Sequence, residues 1–200
     1  MKRFKLRIDG PDGKIETVIN DPIEDRKGVA FIAHPHPLHG GTMDNKVVQT
    51  IADTLVQLGY VAVRPNFRGV GMSEGDYDHG AGEVEDMLAT TRFVQGHYPG
   101  LPVLLAGFSF GAYVQTQVCR RLPCRQLVLV GPAVNMFEFG DVPLGTHIIH
   151  GEKDELVPLA WVEAWANQYE AKLTVIKGAD HFFNRKLTQL KQAVTESCQS

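Results

Sequence analysis

Several things are scarce or missing in this chain. It has three cysteines, Cys119, Cys124 and Cys198, an odd number without metal-ligand or C-x-x-C spacing, which excludes a disulfide scaffold or a zinc ribbon. They read as small buried or surface thiols in a reducing compartment. No apolar run approaches ~20 residues, so no membrane-spanning helix is expected. Charge of one sign is also lacking, with 20 Lys and Arg against 23 Asp and Glu for a net −3. A nucleic-acid partner would call for a basic face and is not expected. The opening MKRFKLRIDG is basic, but Lys5, Arg7 and Asp9 interrupt any apolar stretch behind it. A secretory leader is therefore not expected, and the chain reads as cytoplasmic. The 44% hydrophobic and 22% charged content of 200 residues is that of one folded domain with a core that needs no staples.

Along the chain, two strand-like runs, Phe4 to Ile8 and Lys14 to Asn20, flank Asp9-Gly10-Pro11-Asp12-Gly13 and predict an antiparallel hairpin. From Gly28 to Ala33 (GVAFIA) the pattern changes to a continuously apolar strand, covered on both faces. A helix follows from Thr42 to Leu58, with Val47, Val48, Ile51, Leu55 and Leu58 on one face and Gly59 stopping it. The alternation then repeats. Strands are expected over 60–64, 102–108, 126–130, 147–150 and 173–176, and helices over 83–98, 112–122, 158–169 and 185–198. This predicts an α/β fold: parallel βαβ units, helices on both sheet faces, and one domain over 1–200.

In an open parallel sheet, ligands bind beyond the carboxyl ends of the strands. Four strand ends carry suitable chemistry: His34-Pro35-His36-Pro37-Leu38-His39-Gly40-Gly41, Gly107-Phe108-Ser109-Phe110-Gly111, Glu152-Lys153-Asp154 and Asp180-His181. With only four serines and 20 glycines, composition gives about 0.04 G-x-S-x-G matches by chance. There are two, because Gly71-Met72-Ser73-Glu74-Gly75 also fits. Context separates them. A nucleophile elbow needs an apolar strand before it and a helix after it. Ser109 has PVLLA before and AYVQTQVCRRL after. Ser73 runs on into Glu74-Gly75-Asp76-Tyr77-Asp78, which reads as a flexible loop near the rim of the site.

A serine nucleophile needs a base, and the base needs an acid to hold its tautomer. Of the eight histidines, His181 alone follows the last expected strand with loop on either side. Asp154 follows the strand before it, and the order Ser109, Asp154, His181 is that of α/β-hydrolase triads. Asp180 is the rival acid, although adjacent residues on an extended chain point apart. His34, His36 and His39 admit a metal-site reading, but the carboxylate or thiolate that would complete the shell is not evident. The alternative is that this loop supplies half of an oxyanion hole. Pro35 and Pro37 have no N–H, which leaves His36, or Leu38, to pair with the N–H of Phe110.

Taken together, HPHPLHGGTMDNKVV, RPNFRGVGMSEG, GFSFGA, HGEKDELVP and GADHFF resemble the α/β-hydrolase superfamily, most of all its small bacterial-type members with an HPHP loop. The resemblance runs from about residue 28 to the C-terminus. It implies Ser109 as nucleophile, His181 as base, Asp154 as acid, and Arg68 as an anchor of the loop that carries it. One departure stands out. Only residues 132–146 separate the strands at 126 and 147, which leaves no room for a cap domain. Leu38, Phe108, Met136, Phe137, Trp161 and Phe182, with Phe110, Phe139 and Phe183, are candidates for an apolar acyl groove. The expected activity is hydrolysis of small carboxylic esters through an acyl-enzyme, without metal or organic cofactor. A thioesterase or acyl-protein deacylase on the same triad is the near alternative, and a scaffold that binds without turnover the distant one.

Overall fold

The computed structural model describes residues 1–199. Alternation of side chains along each central strand divides the core in two. Val29, Phe31 and Ala33 of β3 (Gly28–Ala33) point to one face and Ala30 and Ile32 to the other. The same holds for β4 (Tyr60–Pro65), β5 (Val103–Phe108), β6 (Gln126–Val130) and β7 (His147–Gly151). The first face packs against α2 (Ala81–His97), α3 (Phe110–Cys119) and α4 (Leu159–Gln168). The second packs against α1 (Lys46–Gln57) and α5 (Leu187–Ser197). Both faces of β3 are buried throughout, which is why its sequence is apolar without alternation.

The strands form one sheet in the order β1-β2-β4-β3-β5-β6-β7-β8, with β8 at Lys172–Ile176. From β4 to β8 all pairings are parallel. The hairpin of β1 (Lys2–Gly10) and β2 (Gly13–Asp21) joins antiparallel, through β2 against β4. It is longer than its apolar residues suggested, because Lys2, Arg3, Lys5 and Arg7 lie along the exposed edge strand. Charge there protects an open edge and hides the strand in the sequence. The chain leaves β3 for β4 on one side and returns to β5 on the other. The reversal opens a crevice between the carboxyl ends of β3 and β5, the switch point where such sheets bind ligands.

Helix boundaries moved where local chemistry overrode periodicity. Helix α1 begins at Lys46 rather than Thr42, because the Asn45 side chain accepts the Val47 N–H at 2.9 Å and caps it. Helix α3 begins two residues before the expected Ala112, directly out of the turn at Ser109. Arg185, at φ 59°, lies outside α5. Among the described residues, 131–146 holds no helix, and no helix is long and apolar enough to cross a membrane. The three cysteines are unpaired and partly buried.

Candidate functional site

Gly107 and Gly111 permit a turn that no other residue pair would. A Cβ on Gly107 would strike the carbonyl of Gly111, and one on Gly111 would strike the carbonyls of Ala33 and His34. The missing side chains let α3 rest against the end of β3. Between them, Ser109 sits at φ 55° and ψ −114°, a strained conformation for a residue with a side chain. Its N–H donates to the Val130 carbonyl at 2.9 Å, fixing the turn to the neighbouring strand.

The hydroxyl of Ser109 lies 3.1 Å from His181 Nε2, and His181 Nδ1 lies 2.6 Å from Asp154 Oδ2. With the carboxylate accepting from Nδ1–H, the lone pair of Nε2 faces the Ser109 hydroxyl. Asp154 Oδ1 is held by the N–H groups of Leu156 and Val157 at 3.0 and 2.8 Å. Buried His150 donates Nε2–H to the Val157 carbonyl at 2.8 Å, with that nitrogen 3.6 Å from Asp154 Oδ2. The loops bearing Asp154 and His181 are tied to each other, Lys153 N–H donating to Ala179 O at 2.8 Å. Asp154 and His181 are each 5% exposed, so their hydrogen bond is sheltered from water.

The rival residues have other partners. Asp180 turns back on its own loop and accepts from Asn184 through both oxygens, at 2.9 and 2.6 Å. Ser73 is not in a loose loop. Its hydroxyl is buried, donating to Asn66 O at 2.7 Å and accepting the Glu16 N–H at 2.9 Å. Arg68 makes a two-pronged ion pair with buried Asp86, both bonds 2.8 Å, and reaches Asp12 at 3.4 Å. It ties the loop after β4 to α2 and to the hairpin turn.

The histidine-proline loop does not form a ligand cluster. His34 is fully buried and uses both nitrogens, Nδ1–H donating to Pro35 O at 2.7 Å and Nε2 accepting the Phe67 N–H at 2.9 Å. Burial pushes its pKa down to about 4. Among the described residues no group of three or more His, Cys, Asp and Glu is gathered as a metal ion's ligands would be. The Leu38 N–H is spent on His36 Nδ1 at 3.2 Å. Among the described residues, no protein acceptor takes the N–H of His36 or of Phe110. The register sets Ala33 of β3 opposite Gly107 of β5, so these two residues emerge side by side.

A cavity of about 230 Å³ joins Ser109, His181, His36 and Phe110. Met136, Phe137 and Phe182 line it, as do Pro35, Ala133, Leu156 and Val157. Its mouth is apolar, with Met136 58%, Leu156 49% and Phe182 40% exposed. A larger depression of about 630 Å³ lies beside Arg68 and contains none of the Ser109, Asp154 and His181 cluster. Five expected lining residues stand elsewhere. Phe108 is fully buried beneath His181, their ring centroids 5.1 Å apart, because the inward face of β5 is core. Leu38 and Trp161 are exposed outside the cavity, one on a turn that faces solvent and one on the outer side of α4. Phe139 and Phe183 belong to the core. Asn45, Ala133, Leu156 and Val157 were not foreseen as lining, since nothing in their local sequence marks them.

The strand order, the strained elbow and the Ser–His–Asp chain define the α/β-hydrolase class, here with no helix between β6 and β7 among the described residues. Residues 36–142 match the hydrolase family described as serine aminopeptidase, S33, and the chain belongs to that family. It is similar to an α/β serine hydrolase homologue from Coxiella burnetii, 41% identical over 98% of this chain and 97% of that one, with a TM-score of 0.93. An α/β serine hydrolase without lid from Xanthomonas campestris is 35% identical over 99% and 94%, with a TM-score of 0.94. A Rickettsia prowazekii protein is 33% identical over 96% of this chain and 87% of its own length.

Proposed function

We propose that this protein is a single-domain serine esterase that cleaves small carboxylic esters of uncharged, apolar acids through an acyl-enzyme. The observation that carries the reading is the continuous chain Ser109 Oγ to His181 Nε2 to Asp154, at 3.1 and 2.6 Å, opening on an apolar cavity. As Ser109 Oγ bonds to the carbonyl carbon, its proton passes to His181 Nε2. Asp154 steadies the imidazolium. The negative oxygen is held by the N–H groups of His36 and Phe110, neither of which has a protein acceptor to lose. His181 returns the proton to the leaving alcohol as the C–O bond breaks. It then takes one from water as the water oxygen bonds the acyl carbon, and returns it to Ser109 Oγ as the Oγ–acyl bond breaks and the acid leaves.

An aminopeptidase reading of the family name is less well supported. A substrate ammonium buried against the enzyme requires a carboxylate partner, and no Asp or Glu lines this cavity. No lysine or arginine lines it either, which disfavours anionic acyl groups. A thioester would meet the same acyl pocket, and leaving-group preference separates the two. Three unpaired cysteines are consistent with a reducing, cytoplasmic setting. The test is labelling with a fluorophosphonate, followed by hydrolysis of p-nitrophenyl esters and acyl thioesters of graded chain length. One label per chain, lost in Ser109→Ala, with ester turnover favouring short acyl groups, is expected. An unlabelled Ser109 overturns the reading.

A further inference from the structure

We propose that Tyr77 is a positioning residue for the oxyanion loop. Its hydroxyl and the Leu38 N–H hold the His36 imidazole in one tautomer and one orientation, and so set the aim of the His36 backbone N–H. The inference rests on the reading above that this N–H meets the developing oxyanion.

The argument begins with the prolines. Flanked by Pro35 and Pro37, His36 has the only N–H in its tripeptide, and the carbonyl of that same peptide plane, Pro35 O, accepts from His34 Nδ1–H at 2.7 Å. On the carbonyl side, His36 O accepts from His39 N–H at 3.1 Å and Gly41 N–H at 3.0 Å. The ring supplies the other fixed points. Accepting the Leu38 N–H requires a lone pair on Nδ1, so the neutral imidazole carries its proton on Nε2 and donates it to Tyr77 Oη at 3.1 Å. Burial, with His39 and His79 nearby, pushes the His36 pKa down and favours this neutral form.

Packing reinforces the orientation. The His36 ring lies 4.5 Å from His39, 4.9 Å from Tyr77 and 5.0 Å from Phe110, centroid to centroid. Tyr77 also meets Phe110 at 5.9 Å, so one side chain touches both residues whose N–H groups would bind the oxyanion. Tyr77 does not line the Ser109 cavity, and its effect is therefore indirect. Its own loop is fixed. Glu83 accepts the N–H of Asp78 at 2.9 Å and of Gly80 at 2.7 Å, just beyond Tyr77. Arg68 pins the same loop on its other side through Asp86. A frame anchored to α2 thus extends to the oxyanion loop through one phenol.

The test compares Tyr77→Phe, His36→Asn and the double variant on a short p-nitrophenyl ester, after fluorophosphonate labelling of each. Asn at 36 keeps an acceptor for the Leu38 N–H but gives up the contact with Tyr77. Each single variant should label at Ser109, keep its thermal midpoint within about 2 °C and its KM within about twofold, and lose roughly fivefold in kcat. The double variant should lose no more than either single one, because both remove the same contact. Unchanged kcat in Tyr77→Phe overturns the proposal while the labelled serine keeps the esterase reading. So do losses that multiply in the double variant, or a kcat loss accompanied by lowered stability and raised KM. Failure of the wild-type protein to label overturns both.

Discussion

Gly71–Gly75 and Gly107–Gly111 share the pattern G-x-S-x-G and do opposite things with it. In the second, the glycines are small because two backbones must touch, and Ser109 is lifted into a cavity at a positive φ. In the first, the glycines themselves take the left-handed conformation, φ 58° at Gly71 and 81° at Gly75. Ser73 stays at ordinary φ and turns inward to bond Asn66 and Glu16. One serine is poised against a base. The other is a hydrogen-bonding staple between the loop after β4 and the hairpin. What decides the difference is the element that precedes each motif: β5 ends at Phe108 and commits the chain to a strand-to-helix reversal, whereas the first motif sits inside a loop already anchored by Arg68.

The sharpest way to break this comparison is to remove each hydroxyl. Ser109→Ala should cut kcat by up to roughly 10⁶ with little change in thermal midpoint, since among the described residues the Ser109 side chain makes no bond besides that to His181. Next comes the support of the base. Asp154→Asn should lower kcat by about 10⁴, because an amide disfavours the Nδ1–H tautomer. Asp180→Asn should cost at most about tenfold through its loop. A larger loss at Asp180, with both variants folded, would reverse the assignment of the acid.

Stability effects follow. His34 joins the two regions, since it follows β3 at the start of the histidine-proline loop and accepts the Phe67 N–H at the start of the Ser73 loop. Its folded pKa of about 4 lies below the ordinary ~6.5 of the unfolded chain. The unfolded state therefore binds the extra proton first. The contribution is intact above about pH 6.5, falls as pH drops towards 4, and amounts to at most roughly 3 kcal/mol. His36, His147 and His150 are shifted downwards too and add to the same slope. Denaturant titrations between pH 7 and 4 should show this decline, with a shallower slope in His34→Gln. A slope unchanged by that substitution would remove His34 from the account. The smallest change is expected from Ser73→Ala. It leaves a buried carbonyl and N–H unpaired, costing on the order of 2 kcal/mol. The folded variant should keep its ester turnover within about twofold. Loss of activity with stability intact would place Ser73, not Ser109, in the chemistry.

Much of the architecture was legible because buried parallel strands and amphipathic helices write their periods directly into the sequence. GVAFIA and the Val47–Leu58 stripe left little choice of element. The order of Ser109, Asp154 and His181 after successive strands was equally plain, since the sheet sends every strand end to one edge. The cavity beside Ser109 is less legible. Aromatic residues alone do not say which way they face: Phe108 turned inward because its position in β5 points to the core, and Trp161 turned outward because α4 has only one buried stripe. Val157 and Ala133 reach the cavity because loops from distant strands converge there.

By itself, then, the chain's local chemistry determined which elements form and which strand ends carry Ser109, Asp154 and His181, because those depend on short-range periodicity and turn stereochemistry. Tertiary structure alone decided that Ser73 turns inward to Glu16, that His34 meets Phe67, and that Tyr77 reaches His36 from 41 positions away. Those outcomes are set by hydrogen bonds between segments far apart in the chain, such as Phe67 to His34 and Ser73 to Asn66 and Glu16. Such pairings satisfy buried polar groups only once the sheet has brought the loops together.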